Sequence, residues 1–327
     1  MIRQVSIVTG FLGAGKTTLA LGLIQSGAMR DVVLIVNDFG EASFDSIQIG
    51  STGASYQAMD GGCICCSVKD DLLKTLHEIP RLFPDKKKVW IETSGISDPA
   101  DLVTLFESSS FLYESYVLNS VVCVVDARND FDWLMTQDSA PQQLAAASCV
   151  VVNKYNLPDK AVDTLVMEVG SLNPVADIHV VSLRDDQPIS VDIFFGSVAY
   201  QIRGTGDYLS TNNHAHETHG FTTHTIRWDG SVDESLFSDL LDAWIESPEL
   251  DLLRLKGSVR INNSDRHIVV QGVRKQVTFD YDDSNWPRAS VLVVIGREIT
   301  QTMIDGLHQQ ILTAQSEKQV EAEICQK

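Results

Sequence analysis

Short runs of apolar, mostly β-branched residues recur through residues 1–182, with longer amphipathic stretches between them. Continuous runs of this kind are typical of strands that are buried on both faces of a parallel sheet. The predicted strands are residues 4–9, 32–38, 88–93, 120–126, 149–153 and 178–182. The predicted helices are residues 17–26, 69–83, 98–107 and 159–172. This alternation predicts an α/β domain with a doubly wound, mostly parallel sheet over residues 1–185.

The periodicity then fades, and Gly, Ser, Thr, Asn and His become common. We interpret residues 186–217 as a linker, with a short helix near residues 192–195. Beyond it, the pattern predicts strands at residues 224–228, 255–261, 268–273 and 291–295, and helices at residues 233–246 and 300–312. Residues 218–327 therefore predict a second, smaller α+β domain, whose polar tail after residue 312 we expect to fray.

The charge balance narrows the set of partners. The chain has 327 residues, with 25 Lys and Arg against 44 Asp and Glu, a net charge of −19. Such a field repels phosphate backbones, so we expect no nucleic-acid or membrane partner, although a local pocket can still hold a phosphate. No apolar run approaches the roughly 18 residues of a membrane span, and the opening residues lack a signal-peptide pattern. We therefore expect a cytoplasmic protein.

A phosphate-loop motif follows the first predicted strand. Residues 10–17, GFLGAGKT, match G-x-x-x-x-G-K-[ST]. In this motif glycines open backbone N–H groups to a phosphate, the lysine reaches the β/γ-oxygens, and the hydroxyl ligates Mg²⁺. A glycine-rich turn with a chance lysine is the alternative, but the flanking strand and helix favour the motif. The candidate phosphate-binding residues are Gly10, Gly13, Ala14, Gly15, Lys16, Thr17 and Thr18.

Two later strand ends carry further nucleotide motifs. In ETSG, residues 92–95, Glu92 can hold Mg²⁺ or its water, and the glycine can meet a γ-phosphate. Together with the phosphate loop, this motif makes Lys16, Thr17 and Glu92 the candidate catalytic residues. NKYN, residues 153–156, stands where guanine-specific GTPases carry Asn-Lys-x-Asp, so Asn153, Lys154 and Asn156 are candidate base contacts. Asn156 replaces the usual carboxylate, which predicts weaker guanine selectivity. An ordinary strand end is the alternative for each motif.

Three of the six cysteines, Cys63, Cys65 and Cys66, lie in the segment GGCICCS between a predicted strand and a predicted helix. Neighbouring thiols cannot all form disulfides without strain, so a reduced compartment and metal ligation fit better. The cluster offers up to three soft thiolates, and tetrahedral Zn²⁺ needs one or two further ligands. Structural thiols or a redox pair are the alternatives. The histidines His214, His216 and His219, with His224 nearby, are either metal-collecting or incidental to a polar loop.

The motifs together resemble the CobW-type metal-chaperone GTPases, relatives of the UreG and HypB nickel-insertion GTPases. The resemblance rests on GFLGAGKTT, NDFGE with a later Asp45, GGCICC, ETSG and NKYN in family order, and on the C-terminal segments RLKGSVRINN, VVQGV, WP and VVIGREI. It implies GTP hydrolysis coupled to delivery of a transition metal, most often zinc and in some branches cobalt or iron, to a client metalloprotein. A homodimer is compatible with it.

The resemblance also implies site residues. It places Mg²⁺ at Thr17 and Glu92, with Asp45 as a further contribution from the first switch, and makes Glu41 the fourth metal ligand beside the three cysteines. The chain departs from the family at Asp38, at residues 43–45 and at Asn156. Two other functions stay open from the residues alone: a metal-sensing or storage module with a weakened nucleotide site, and a small-molecule phosphotransferase with structural cysteines.

Overall fold

The computed structural model describes residues 1–36, 55–58, 67–153, 159–181, 190–195, 216–218, 220–262, 264, 266–282 and 289–325. The chain divides into two compact units, one of Met1–Gly170 with Ala176–Ala199 and the other of Ser171–Val175 with Tyr200–Lys327. Among the described residues, no helix combines the length and the apolar character that a membrane crossing requires.

The first unit contains a seven-stranded sheet in which every described neighbour pair is parallel. Its strands are β1 (Arg3–Thr9), β2 (Val32–Val36), β3 (Ser55–Ala58), β4 (Lys88–Glu92), β5 (Tyr116–Asp126), β6 (Cys149–Asn153) and β7 (Asp177–Val181). Their spatial order is β3-β2-β4-β1-β5-β6-β7. The order reverses direction at β1, and ligands bind at such switch points, beyond the carboxyl ends of the strands. The expectation of a doubly wound, mostly parallel domain is confirmed.

Helices connect these strands, and a further short helix follows the last of them. They are α1 (Lys16–Gln25), α2 (Ser67–Leu82), α3 (Ala100–Ser108), α4 (Ser110–Ser115), α5 (Phe131–Met135), α6 (Ala140–Ala146), α7 (Asp159–Leu172) and α8 (Asp192–Phe195). The short helix near residues 192–195 is confirmed, but it does not behave as a free linker. Phe194 is fully buried against Trp90 of β4, with ring centroids 4.5 Å apart, and its carbonyl accepts a hydrogen bond of 2.6 Å from Ser120. Residues 192–195 thus pack in the core of the first unit.

Helix α2, which follows the cysteine segment, contains a proline at position 80. Proline has no N–H, so the carbonyl of Leu76, four residues earlier, loses its helical donor. The hydroxyl of Tyr116 donates to that carbonyl at 2.5 Å. Burial of the phenol raises the pKa of Tyr116 to about 12, so the hydroxyl keeps its proton. A side chain of β5 therefore supplies the hydrogen bond that the helix cannot make for itself.

We expect Tyr116→Phe to destabilise the protein, because it leaves the Leu76 carbonyl buried without its donor. An unsatisfied buried acceptor costs about 1–3 kcal/mol, which lowers Tm by several degrees. Tyr113→Phe is the matched control, since Tyr113 is 77% exposed. Thermal unfolding followed by circular dichroism compares the two variants. Equal Tm values would show that the Tyr116 hydroxyl contributes nothing to the stability of α2.

The second unit contains a six-stranded antiparallel sheet. Its strands are β8 (His216–Thr218), β9 (Phe221–Trp228), β10 (Asp251–Arg260), β11 (His267–Val273), β12 (Gln276–Asp282) and β13 (Ser290–Arg297), in the order β12-β11-β10-β13-β9-β8. The helices α9 (Glu234–Ile245) and α10 (Gln301–Cys325) share a core cluster with residues of β9, β10, β11 and β13. The predicted α+β class is confirmed.

Three features of this unit differ from the sequence prediction. Strand β8 lies mostly in the segment predicted as a linker. The prediction also lacks strand β12, because its residues alternate between polar and apolar instead of forming a continuous apolar run. The helix α10 continues to Cys325, although the segment after residue 312 was expected to fray. That segment is polar but rich in Ala, Glu, Gln and Lys, which have high helix propensity.

Candidate nucleotide-binding site

The phosphate loop connects the end of β1 to the first turn of α1. Gly10, Gly13 and Gly15 have φ angles of 138°, 75° and 99°, in the left-handed region that favours glycine. A Cβ on Gly10 would lie 2.2 Å from the carbonyl oxygen of Val124 in β5, so the loop approaches β5 more closely than a side chain allows. The loop leads directly into a helix N-terminus, which is a combination that binds phosphate.

The side chain of Lys16 lies across this loop. Its ammonium donates to the carbonyl oxygen of Gly10 at 2.7 Å, and the residue is 8% exposed. The protein thus holds a buried positive charge at the loop whose backbone geometry suits a phosphate. A lysine in this position can interact with β- and γ-phosphate oxygens.

Thr17 and Glu92 form a direct contact at the carboxyl end of the sheet. The Thr17 hydroxyl donates to Oε1 of Glu92 at 2.6 Å, and Glu92 is 5% exposed. The pair forms because β1 and β4 are adjacent, with Val8 opposite Glu92 in the register. Hydroxyl and carboxylate oxygens are ligands that Mg²⁺ prefers, so the donor set fits this ion.

The turn after β4 lies against the phosphate loop. Thr93 donates from its backbone N–H to Val8 and from its hydroxyl to the hydroxyl of Thr9, both at 2.9 Å. A Cβ on Gly95 would come within 2.7 Å of the backbone nitrogen of Leu12. The ETSG segment and the phosphate loop are therefore in close backbone contact.

Asn153 connects the base motif to the same loop. Its side-chain amide donates to the carbonyl of Ala14 at 3.0 Å, and the residue is buried. The parallel register of β5 and β6 places Asn153 opposite Asp126 at the carboxyl end of the sheet. Lys154 and Asn156, the other candidate base contacts, lie outside the described residues.

The same holds for the predicted metal ligands, Glu41, Cys63, Cys65 and Cys66, and for the predicted Mg²⁺ contact Asp45. The strands that lead to them are described. Val36, the last residue of β2, is opposite both Glu92 of β4 and Ala58, the last residue of β3. Helix α2 then begins at Ser67, directly after Cys66 in the sequence. The NDFGE segment and the cysteine segment therefore both begin at the carboxyl end of the sheet, where Glu92 lies.

Cys123 and Cys149 are buried free thiols on β5 and β6. Burial raises the pKa of each thiol to about 12, so both stay protonated at neutral pH. The register places each one residue away from the other, so they face opposite sides of the sheet and do not form a disulfide. Within the described part of the chain, no three or more His, Cys, Asp or Glu side chains converge as a metal site.

The histidine cluster is only partly described. The ring nitrogen Nε2 of His224 contacts the carbonyl oxygen of Ile299 at 2.8 Å, and the side chain is 3% exposed. His216 belongs to β8, opposite Thr223 of β9, whereas His214 and His219 lie outside the described residues. His224 thus has a structural contact inside the second unit.

Two residues that the sequence prediction did not include contact the ETSG turn. Ser139 and Gln143 of the α6 segment both donate to the carbonyl oxygen of Gly95. The available signal is a pair of adjacent amides in the Ala-rich segment APQQLAAA, directly before a buried strand. Such amides in an apolar context indicate a buried polar contact.

Family models match both units of the chain. The CobW/HypB/UreG nucleotide-binding domain matches residues 4–180, and the cobalamin synthesis protein cobW C-terminal domain matches residues 221–312. The first match includes the phosphate loop, ETSG and NKYN, and the second covers most of the antiparallel sheet.

Curated relatives match most of the chain. A zinc chaperone CobW of Pseudomonas aeruginosa is 30% identical over 341 aligned positions, covering 92% of this chain and 89% of the relative. The zinc chaperone YjiA of Escherichia coli is 27% identical over 286, covering 85% and 88%. A crystal structure of Zn(II)-bound YjiA GTPase from E. coli shares the fold, with a TM-score of 0.72 at 22% identity over 96% of this chain and 99% of that chain. The chain therefore belongs to the CobW/HypB/UreG family of P-loop nucleotide-binding proteins.

Proposed function

We propose that this protein is a cytoplasmic, GTP-hydrolysing metallochaperone that takes Zn²⁺ at the cysteine segment and passes it to a client metalloprotein under nucleotide control. The observation that carries the proposal is the register of β2, β3 and β4. Because of this register, the strands that precede the NDFGE and cysteine segments end at the carboxyl end of the sheet, beside the Thr17–Glu92 pair. The zinc-chaperone names of the relatives support the same function.

The residues of the first unit fit a nucleotide with Mg²⁺. The backbone of residues 10–18 would hold the phosphates, with Lys16 as the positive charge, and Asn153, Lys154 and Asn156 would face the base. The close contact of Thr17 with Glu92 provides hard oxygen ligands for Mg²⁺, to which Asp45 would contribute. The ion supplies positive charge where the β- and γ-phosphate oxygens become more negative.

The cysteine segment suits a soft metal as cargo. Three thiolates with Glu41 would complete a four-ligand set for Zn²⁺, and cobalt or iron are further candidates. Cys66, the last cysteine of this segment, directly precedes the 16-residue helix α2 in the sequence. A helix N-terminus favours the thiolate form that binds metal. This position therefore supports ligation by Cys66 in addition to Cys63 and Cys65.

Energetics limit how the metal can leave. A closed structural zinc site is worth roughly 10–16 kcal/mol, whereas coupling between two sites supplies about 1–3 kcal/mol. Nucleotide turnover alone therefore does not expel Zn²⁺ into water. Ligand exchange with a client protein, opened or closed by the nucleotide state, is the route that these magnitudes allow.

We expect Cys65→Ser to lower the affinity for Zn²⁺ at least about tenfold, because a hard hydroxyl replaces a soft thiolate. Competition of the reduced protein with a zinc-responsive dye gives the affinity. Cys325→Ser is the matched control, since it makes the same change outside the cysteine segment. Wild-type affinity in the Cys65 variant would place the metal elsewhere, with the histidines of the linker as the next candidates.

Steady-state turnover of GTP with Mg²⁺, with and without Zn²⁺, tests the proposed function as a whole. Phosphate release whose rate responds to Zn²⁺ supports the metallochaperone. Zinc binding without turnover would favour a metal sensor or store, and a phosphorylated small molecule in place of free phosphate would favour a phosphotransferase. Either of those results would overturn the proposal.

A further inference from the structure

The turn that follows Glu92 is held from outside by α6. The hydroxyl of Ser139 and the amide of Gln143 donate to the carbonyl oxygen of Gly95 at 3.2 and 3.1 Å. The same amide nitrogen donates to the carbonyl of Ser97 at 3.0 Å. Gln143 is fully buried and Ser139 is 6% exposed, so water does not compete for these hydrogen bonds.

For each residue, the contact with Gly95 leaves another usual hydrogen bond unmade. Ser139 is the N-cap residue of α6, but its side chain does not cap the helix and bonds to Gly95 instead. The amide nitrogen of Gln143 must face the two carbonyls because only a donor suits them. Its oxygen is then buried without a hydrogen-bond partner among the residues that the structure describes. Local rules broken in this way are typical of functional positions, not of optimised packing.

The other side of the turn lies against the phosphate loop. The close approach of Gly95 to Leu12 leaves no room for a side chain, and the backbone N–H of Ser97 closes the turn on the carbonyl of Ser94 at 3.1 Å. The described chain has no cis peptide, so the N–H of Ile96 points opposite to the held carbonyl, away from α6. The hydrogen bonds from α6 thus fix the orientation of the whole Gly95–Ile96 peptide.

We propose that Gln143, assisted by Ser139, is a positioning residue for the γ-phosphate. The inference rests on the proposed function and adds a residue to it. By fixing the peptide after the Glu92 strand, α6 sets the geometry of this turn at the phosphate loop before the nucleotide arrives. A backbone N–H whose orientation is already fixed does not need to reorganise as charge develops on the transferred γ-phosphate group. GDP lacks that group, so its binding does not depend on this peptide.

The test is Gln143→Met in the full chain, which keeps the side-chain length and removes both donors. We expect kcat for GTP hydrolysis with Mg²⁺ to fall about tenfold to a hundredfold, as for a small misplacement of reacting groups. We also expect the affinity for GTP to fall while that for GDP, measured by calorimetry, stays at the wild-type value. Ser139→Ala should change the same quantities less, because Gly95 keeps its bond from Gln143.

Gln137→Met is the matched control. The amide of Gln137 donates to the carbonyl of Trp133 and to the hydroxyl of Thr136 at the surface, so its loss should leave all three quantities unchanged. Equal losses of GTP and GDP affinity in the Gln143 variant, or wild-type kcat and GTP affinity, would overturn the positioning role. If that variant does not fold, Ser139→Ala must show the GTP-selective loss or the inference fails. A wild-type protein without GTPase activity would refute the proposed function, whereas the GTP-to-GDP affinity ratio would still test the inference.

Discussion

Lys16→Ala should reduce the rate of GTP hydrolysis by at least about 10²–10³-fold while leaving the fold intact. The side chain supplies a buried positive charge at the phosphate loop, and removing one charge-stabilising donor from an active site costs a factor of this size. Its hydrogen bond to the Gly10 carbonyl lies within the phosphate loop, and thermal unfolding of the variant checks that the fold is intact. Phosphate release under saturating GTP and Mg²⁺ measures the effect.

Lys74→Ala is the matched control for that variant. Lys74 pairs with Asp71 at the surface of α2, where its side chain is 75% exposed. The control removes the same side chain from a position without a part in nucleotide binding, so its turnover should equal that of the wild type. Unchanged hydrolysis in the Lys16 variant would refute the assignment of this loop as the site of GTP hydrolysis.

Gly10→Ala should abolish nucleotide binding and also destabilise the first unit. Its Cβ would lie 2.2 Å from the Val124 carbonyl, at a φ of 138° that L-residues rarely adopt. The loop or β5 must therefore move, and overpacking of this kind costs about 1–3 kcal/mol in addition to the backbone strain. Calorimetric titration with GTP and thermal unfolding measure the two effects.

Gly13→Ala separates the steric effect from the conformational one. Gly13 has a φ of 75°, but a Cβ there meets no atom within 4 Å. Only the cost of a left-handed residue, about 1–2 kcal/mol, applies to its stability. We therefore expect a clearly larger drop in Tm for the Gly10 variant than for the Gly13 variant. Equal drops would show that the contact with Val124 does not constrain the loop.

The parts of the fold that the sequence predicts are those whose signal is local. The phosphate loop and its flanking strand and helix are contiguous, so the motif and its context can be recognised together. The sequence assigns both Thr17 and Glu92 to Mg²⁺, and the parallel topology explains how they meet, because the carboxyl ends of parallel strands lie at the same end of the sheet. The structure places the two side chains in direct contact, with a hydrogen bond of 2.6 Å.

Contacts between distant segments with no pattern of their own could not be predicted. Gln143 and Gly95 are separated by 48 residues, and nothing in an Ala-rich helix indicates which carbonyl its amide meets. The Tyr116 hydroxyl reaches Leu76 because Pro80 removes a helical donor, and only the packed structure shows which side chain replaces it. Strand β12 has an alternating pattern with few apolar residues, which a search for continuous apolar runs does not detect.

The central claim is that the nucleotide state controls the metal. A zinc titration of the reduced protein, with and without GTP and Mg²⁺, tests it most directly. We expect one Zn²⁺ per chain, lost in the Cys65→Ser variant, and an affinity that differs about 5- to 150-fold between the two nucleotide states, as for a typical coupling between sites. Identical zinc affinities with and without GTP would contradict the account.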